Sequence, residues 1–169
     1  MVNDPDDDHQ ATPADGPVFA KVADRLRQAS IDFEVSRHAP VYTSAEAAAI
    51  RGVDLHSGAK ALIIKAGDRF VMIVLPADLS LNGKAVKKAL ACKSTRFANQ
   101  DEVLRMTGLT PGAIPPFGSL FDLGTFCDER LADNEWINFN AGAHTVSIGM
   151  SYADYLAVEQ PTLGRFAAP

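Results

Sequence analysis

The stretch KALIIKAGDRFVMIVL, residues 60–75, decides the fold. Two β-rich runs, 60–65 and 70–75, flank Ala66-Gly67-Asp68-Arg69. Gly-Asp between such runs signals a hairpin, because glycine accepts the positive φ of a tight turn. Both runs are apolar on both faces. The hairpin is therefore expected at the centre of a sheet, covered on each side.

Upstream, Val18, Val22, Leu26 and Ala29 share one helical face, opposite Lys21, Asp24, Arg25 and Gln28. A strand is expected near 31–36, then a turn at His38-Ala39-Pro40. Ser44 is positioned to cap an alanine-rich helix over 45–50 that Gly52 ends. Downstream the pattern gives helices at 84–90 and 100–106 and a short strand at 95–98. GLTPGAIPPFG (108–118) cannot be regular, with three prolines and three glycines. Strands are expected at 120–123, 135–140 and 145–150, and a closing helix at 152–158. Helices placed unevenly among hairpin-connected strands make one α+β domain.

The 169 residues suffice for one domain with a real core, and 47% hydrophobic with 22% charged residues is a globular composition. No apolar run approaches the ~20 residues of a membrane helix. The opening MVNDPDDDHQ is acidic and lacks the apolar core of a secretory signal. Cys92 and Cys127 show no metal-type spacing and are expected as reduced thiols, with a cytoplasmic location as the default. Residues 1–16 hold five aspartates and no Lys or Arg. They are expected to form a disordered acidic tail on a domain spanning 17–169. Without that segment the net charge of −5 disappears, and no basic stripe marks a duplex-DNA binder.

No phosphate-binding loop, dinucleotide fingerprint or zinc spacing is present, and His9, His38, His56 and His144 are scattered. Ser57-Gly58 and Ser147-Ile148-Gly149 lack the pattern of a nucleophile elbow, so neither a metal nor a cofactor is expected. Three features remain. Lys60 opens a strand on the face of Leu62 and Ile64; by itself it reads as a side chain snorkelling to water. The 111–118 loop is stiffened by proline, while Gly112 and Gly118 let backbone amides approach a ligand, as an oxyanion requires. By itself it reads more readily as a surface connection pinned by proline. INFNAGAHT (137–145) alternates Asn138 and Asn140 with Ile137 and Phe139. Continued register makes His144 a core residue, whereas a bulge at Ala141-Gly142-Ala143 resets its face.

Together, HAPVYTSAEAAAIRG (38–52), GAKALIIK (58–65), GLTPGAIPPFG (108–118), CDERLADNEWINFNAGAHTVSI (127–148) and ADYL (153–156) resemble the YbaK/prolyl-tRNA-synthetase-associated family of trans-editing domains. The landmarks run in family order from about residue 18 to 158. The resemblance implies an α+β fold around a curved, barrel-like mixed sheet flanked by helices. It also implies hydrolysis of the ester joining a wrong amino acid to tRNA. The family's key lysine falls on Lys60, its Gly-x-x-x-Pro loop on Gly112 to Pro116 with Phe117 and Gly118, and its C-terminal Ala-Gly on Ala141-Gly142. The segment ending in Ala-His-Thr differs from the AGRRG form of the cysteinyl-tRNA branch and the NTAT form of the alanine-specific branch. It is closer to branches acting on serine, threonine or small non-protein amino acids.

The implied site uses Lys60 and a backbone amide near Gly118 for catalysis. Thr43, Gly112, Pro116, Phe117, Asn140, Gly142 and His144 are the implied substrate-binding residues. The implied partners are the tRNA acceptor end and an aminoacyl-tRNA synthetase, with no membrane or duplex DNA. The rival reading is a non-catalytic module that binds tRNA or a synthetase. A small-molecule esterase is a further alternative.

Overall fold

The computed structural model describes residues 10–168, with the 60–75 hairpin at its centre. In chain order the elements are α1 (Gly16–Gln28), β1 (Phe33–Arg37), α2 (Ser44–Arg51), β2 (Ala59–Ala66), β3 (Arg69–Pro76), β4 (Ser80–Leu81), α3 (Gly83–Ala89), β5 (Thr95–Phe97), α4 (Gln100–Thr107), β6 (Gly124–Asp128), β7 (Trp136–Ala143), β8 (Val146–Ser151), α5 (Tyr152–Glu159), β9 (Thr162–Gly164) and β10 (Ala167–Ala168). Short 3-10 turns occupy Leu55–Ser57, Gly118–Phe121 and Glu129–Asp133.

β2 and β3 pair antiparallel, from Ala59 opposite Pro76 to Ala66 opposite Arg69. They sit inside a five-stranded mixed sheet of order β5-β2-β3-β6-β9, in which β6 runs parallel to both β3 and β9. Side-chain alternation explains the doubly apolar sequence. Ile63, Met72 and Val74 enter the larger core with α1, β7 and β8, while Ile64, Val71, Ile73 and Leu75 enter a second core with Val86 and Phe166.

A second, antiparallel sheet has the order β1-β8-β7, and β4 pairs with β10. The expected barrel does not close: the strands of the described residues divide among three sheets. Between the two larger sheets, β7 meets the chain entering β2 at an isolated parallel bridge, Gly58 to Asn138. Beyond it β7 departs from regular pairing, with a register shift between Asn140 and Ala143.

Three local expectations change. The N-cap of α2 is Thr43, not Ser44, because Thr43 and Glu46 form a reciprocal capping box. The strand expected at 120–123 is the turn Gly118–Phe121, with β6 starting at Gly124. Glu159 holds that turn by accepting from the Ser119 amide (3.1 Å) and hydroxyl (2.6 Å). Of the expected tail, residues 1–9 lie outside the described residues, but its end belongs to the fold. Asp15 is buried, accepts from Thr12 and pairs with Arg37 at 3.0 Å. Both cysteines are free, and burial pushes the Cys127 thiol up to about 12. Among the described residues no helix is long and apolar enough to cross a membrane.

Candidate active site

A cleft of about 230 Å³ opens between α2, the first residues of β2, the 112–114 loop and one face of β7. The β7 alternation builds its floor. Ile137 and Phe139 bury their side chains in the larger core, and Asn138 and Asn140 line the cleft.

Lys60 enters from β2, opposite Leu75. It is half-buried, and its Nζ donates to the carbonyls of Leu79 (2.6 Å) and Ala77 (3.4 Å). Burial lowers its pKa, and the Asp78 charge opposes part of that shift. The lysine is therefore held at the cleft wall by two carbonyls rather than released to water. His56 steadies the same loop, with Nδ1 2.8 Å from the Asp78 carboxylate and Nε2 3.2 Å from Asp133. Burial acts to lower the His56 pKa, but the two carboxylates outweigh it and the net shift is upward.

On the opposite wall Asn140 joins two elements. Its Nδ2 donates to the Gly112 carbonyl at 2.7 Å and its Oδ1 accepts from Arg51 Nη2 at 2.6 Å. Arg51 Nε donates to Ser147 Oγ at 2.8 Å. His38 Nδ1 meets the Ala39 carbonyl (2.9 Å), which leaves Nε2 to accept from the Ser147 hydroxyl at 2.7 Å. Burial lowers the Arg51 pKa to about 10, so it stays charged at neutral pH.

Among the expected site residues, Lys60, Thr43, Gly112 and Asn140 converge on this cleft. Thr43 is there as a helix cap, its hydroxyl accepting from the Glu46 amide. Gly112 has φ +90°, and a Cβ there would lie 3.2 Å from His144 Cε1, so the position suits glycine on both counts. Pro116, Phe117, Gly118, Gly142 and His144 stand outside the lining. The Pro116 carbonyl accepts from the Tyr155 hydroxyl at 2.7 Å. Phe117 is fully buried, edge-on to Phe139 and Tyr155. Gly118 is buried where a Cβ would collide with Thr125 Oγ1 and crowd Met72. Gly142 occupies the β7 irregularity against Val18 and Phe19, its amide donating to Ala113. His144, turned by that irregularity, donates from Nδ1 to the Val41 carbonyl (3.0 Å). Its Nε2 accepts from the Thr110 hydroxyl at 3.0 Å, which clamps the loop.

Arg51 also lines the cleft, outside the residues expected from the sequence, although its signal is present there. Ala47 and Ala48 are the buried residues of α2, and Arg51 lies four and three residues beyond them, on the same face. A cation ending a buried alanine face is unlike one on a solvated face.

Residues 38–158 match the family described as the aminoacyl-tRNA editing domain. The chain is 34% identical over 146 residues to the multifunctional Ser/Thr-tRNA deacylase ProXp-y of Escherichia coli, covering 83% of this chain and 87% of that protein. It is 32% identical over 125 residues to the proline–tRNA ligase of Bacillus licheniformis, covering 73% of this chain and 22% of the ligase. A crystal structure described as a candidate trans-editing enzyme for prolyl tRNA synthetase superposes with a TM-score of 0.81 at 18% identity, covering 91% and 99% of the two chains. With the family matched over most of its length, this chain belongs to the aminoacyl-tRNA editing domain family.

Proposed function

We propose that this protein is a trans-editing deacylase, which hydrolyses the ester between a small mischarged amino acid (serine, threonine or alanine) and the 3′ end of a tRNA. The observation that carries the reading is the convergence of Lys60, Asn140 and the glycine loop at Gly112 on one cleft. An aminoacyl ester is already activated. Water adds to its carbonyl carbon, and the carbon–oxygen bond to the ribose then breaks as the ribose hydroxyl regains a proton. What the protein must supply is placement of the ester and donors for the oxyanion.

Lys60, its ammonium fixed by the Ala77 and Leu79 carbonyls, biases the charge around the ester. The Gly112 end of the loop lines the cleft, so its backbone is the source of oxyanion donors. Pro116, Phe117 and Gly118 support that loop from the core, and His144 and Gly142 hold its position against β7. Such a second sieve has a physical reason, since one methylene or hydroxyl gives a synthetase pocket only ~1–3 kcal/mol of discrimination.

Incubation with Ser-, Thr- and Ala-charged tRNAs, following ester loss, tests the reading. Acceleration of at least one is expected. Binding of tRNA with no acceleration of any would instead establish the non-catalytic module.

A further inference from the structure

Arg51 differs from the other arginines that hydrogen-bond inside this fold. Arg25, Arg37, Arg96, Arg130 and Arg165 each reach a carboxylate, whereas Arg51 reaches only the amide oxygen of Asn140 and the hydroxyl of Ser147. It lies in the cleft lining at the end of the buried alanine face of α2. A partly buried cation with only neutral partners is costly unless a ligand brings the missing charge.

Its orientation is set in advance. Asn140 is anchored on the Gly112 carbonyl and Ser147 on His38, so two nitrogens of the guanidinium, Nη2 and Nε, are held. Nη1 has no protein acceptor among the described residues. Nη1 therefore remains to donate its N–H groups to an anionic oxygen, from a guanidinium whose plane is already fixed, and a phosphate oxygen suits it.

We propose that Arg51 binds the phosphate on the 5′ side of the nucleotide that carries the aminoacyl ester, and so sets how far the tRNA end enters the cleft. This rests on the deacylase reading. The aminoacyl group bears an ammonium, which a permanent cation repels, and serine, threonine and alanine side chains carry no charge. The anion in this part of the substrate is the phosphate. Lys60 is placed differently, because two carbonyls hold its ammonium at the other wall of the cleft, with the Asp78 carboxylate nearby.

The test uses two non-hydrolysable probes, 3′-deoxy-3′-serylamido-adenosine and its 5′-monophosphate, with binding measured by calorimetry. The wild-type protein is expected to bind the phosphorylated probe ~10-fold or more tightly. Arg51→Gln is expected to erase that preference, and Arg51→Lys, which keeps the charge but not the fork, to retain part of it. Equal wild-type affinity for the two probes would overturn the inference without any variant, as would an undiminished preference in a folded Arg51→Gln protein. Deacylation of Ser-, Thr- and Ala-tRNA by the same wild-type preparation separates the outcomes. Turnover of any of them without a phosphate preference overturns this inference alone, whereas no turnover of all three and no binding of either probe overturns the editing reading with it.

Discussion

Asn140 donates its amide to the Gly112 carbonyl at 2.7 Å, which ties the glycine loop to β7 across the floor of the cleft. The same side chain accepts from Arg51, so one residue fixes both the loop and the cation. Asn140→Asp keeps the size but places a carboxylate on Arg51 and against the Gly112 carbonyl. We expect kcat/KM for deacylation to fall about 10- to 100-fold, mostly through KM, because the cation is neutralised internally. Thermal unfolding should change little by comparison. Steady-state kinetics beside a melting curve check both statements.

Gly112 and His144 form a second coupled pair. Gly112→Ala forces a Cβ onto a backbone at φ +90° and to within 3.2 Å of the His144 ring. A loss of about 1–3 kcal/mol in unfolding free energy is expected. In a His144→Ala background the contact vanishes while the φ strain remains, so the double variant should lose less than the sum of the two single losses. A double-mutant cycle by urea denaturation measures that difference.

Glu159 anchors the far end of the loop. Its side chain is 1% exposed, pairs with Arg25 at 3.1 Å and accepts from the Thr125 hydroxyl at 2.6 Å. Glu159→Ala strips the Ser119 turn and leaves Arg25 without its acid. About 3–5 kcal/mol of destabilisation is expected. The scanned melting temperature should fall far more than for a surface Glu→Ala control.

The loop behind Lys60 should respond to pH. Burial opposes protonation of His56, but Asp78 and Asp133 prevail, so its folded pKa is raised. A raised folded value means the His56 contribution is complete below its unfolded pKa of about 6.5, and is lost as pH rises through the folded value. NMR titration of the imidazole should show the raised midpoint, and Asp78→Asn should bring it down.

Much of this architecture was legible in the sequence. The 60–75 hairpin declared its own position, because both faces of each strand are apolar and both faces meet a core. The β7 alternation and its break at 141–143 were readable for the same reason. The barrel was not, since closure depends on where strand edges meet and β7 reaches the chain before β2 only at Gly58. At the cleft, residue types located the loop but not which end of it lines the cavity. Phe117 and Gly118 look like site residues in the sequence, yet packing against Phe139, Tyr155 and Met72 commits them to the core. Arg51 hid as a routine helix-ending cation.

On the proposed reading, this cleft hydrolyses an aminoacyl-tRNA ester with Lys60 as a working part. The most direct measurement is the single-turnover rate of ester loss, at saturating protein, from Ser-, Thr- and Ala-tRNA for the wild-type protein and folded Lys60→Ala. Wild-type acceleration of at least one substrate is expected, with a loss of about 100-fold in the variant. No acceleration by the wild-type protein, or an unchanged rate in Lys60→Ala, would contradict it.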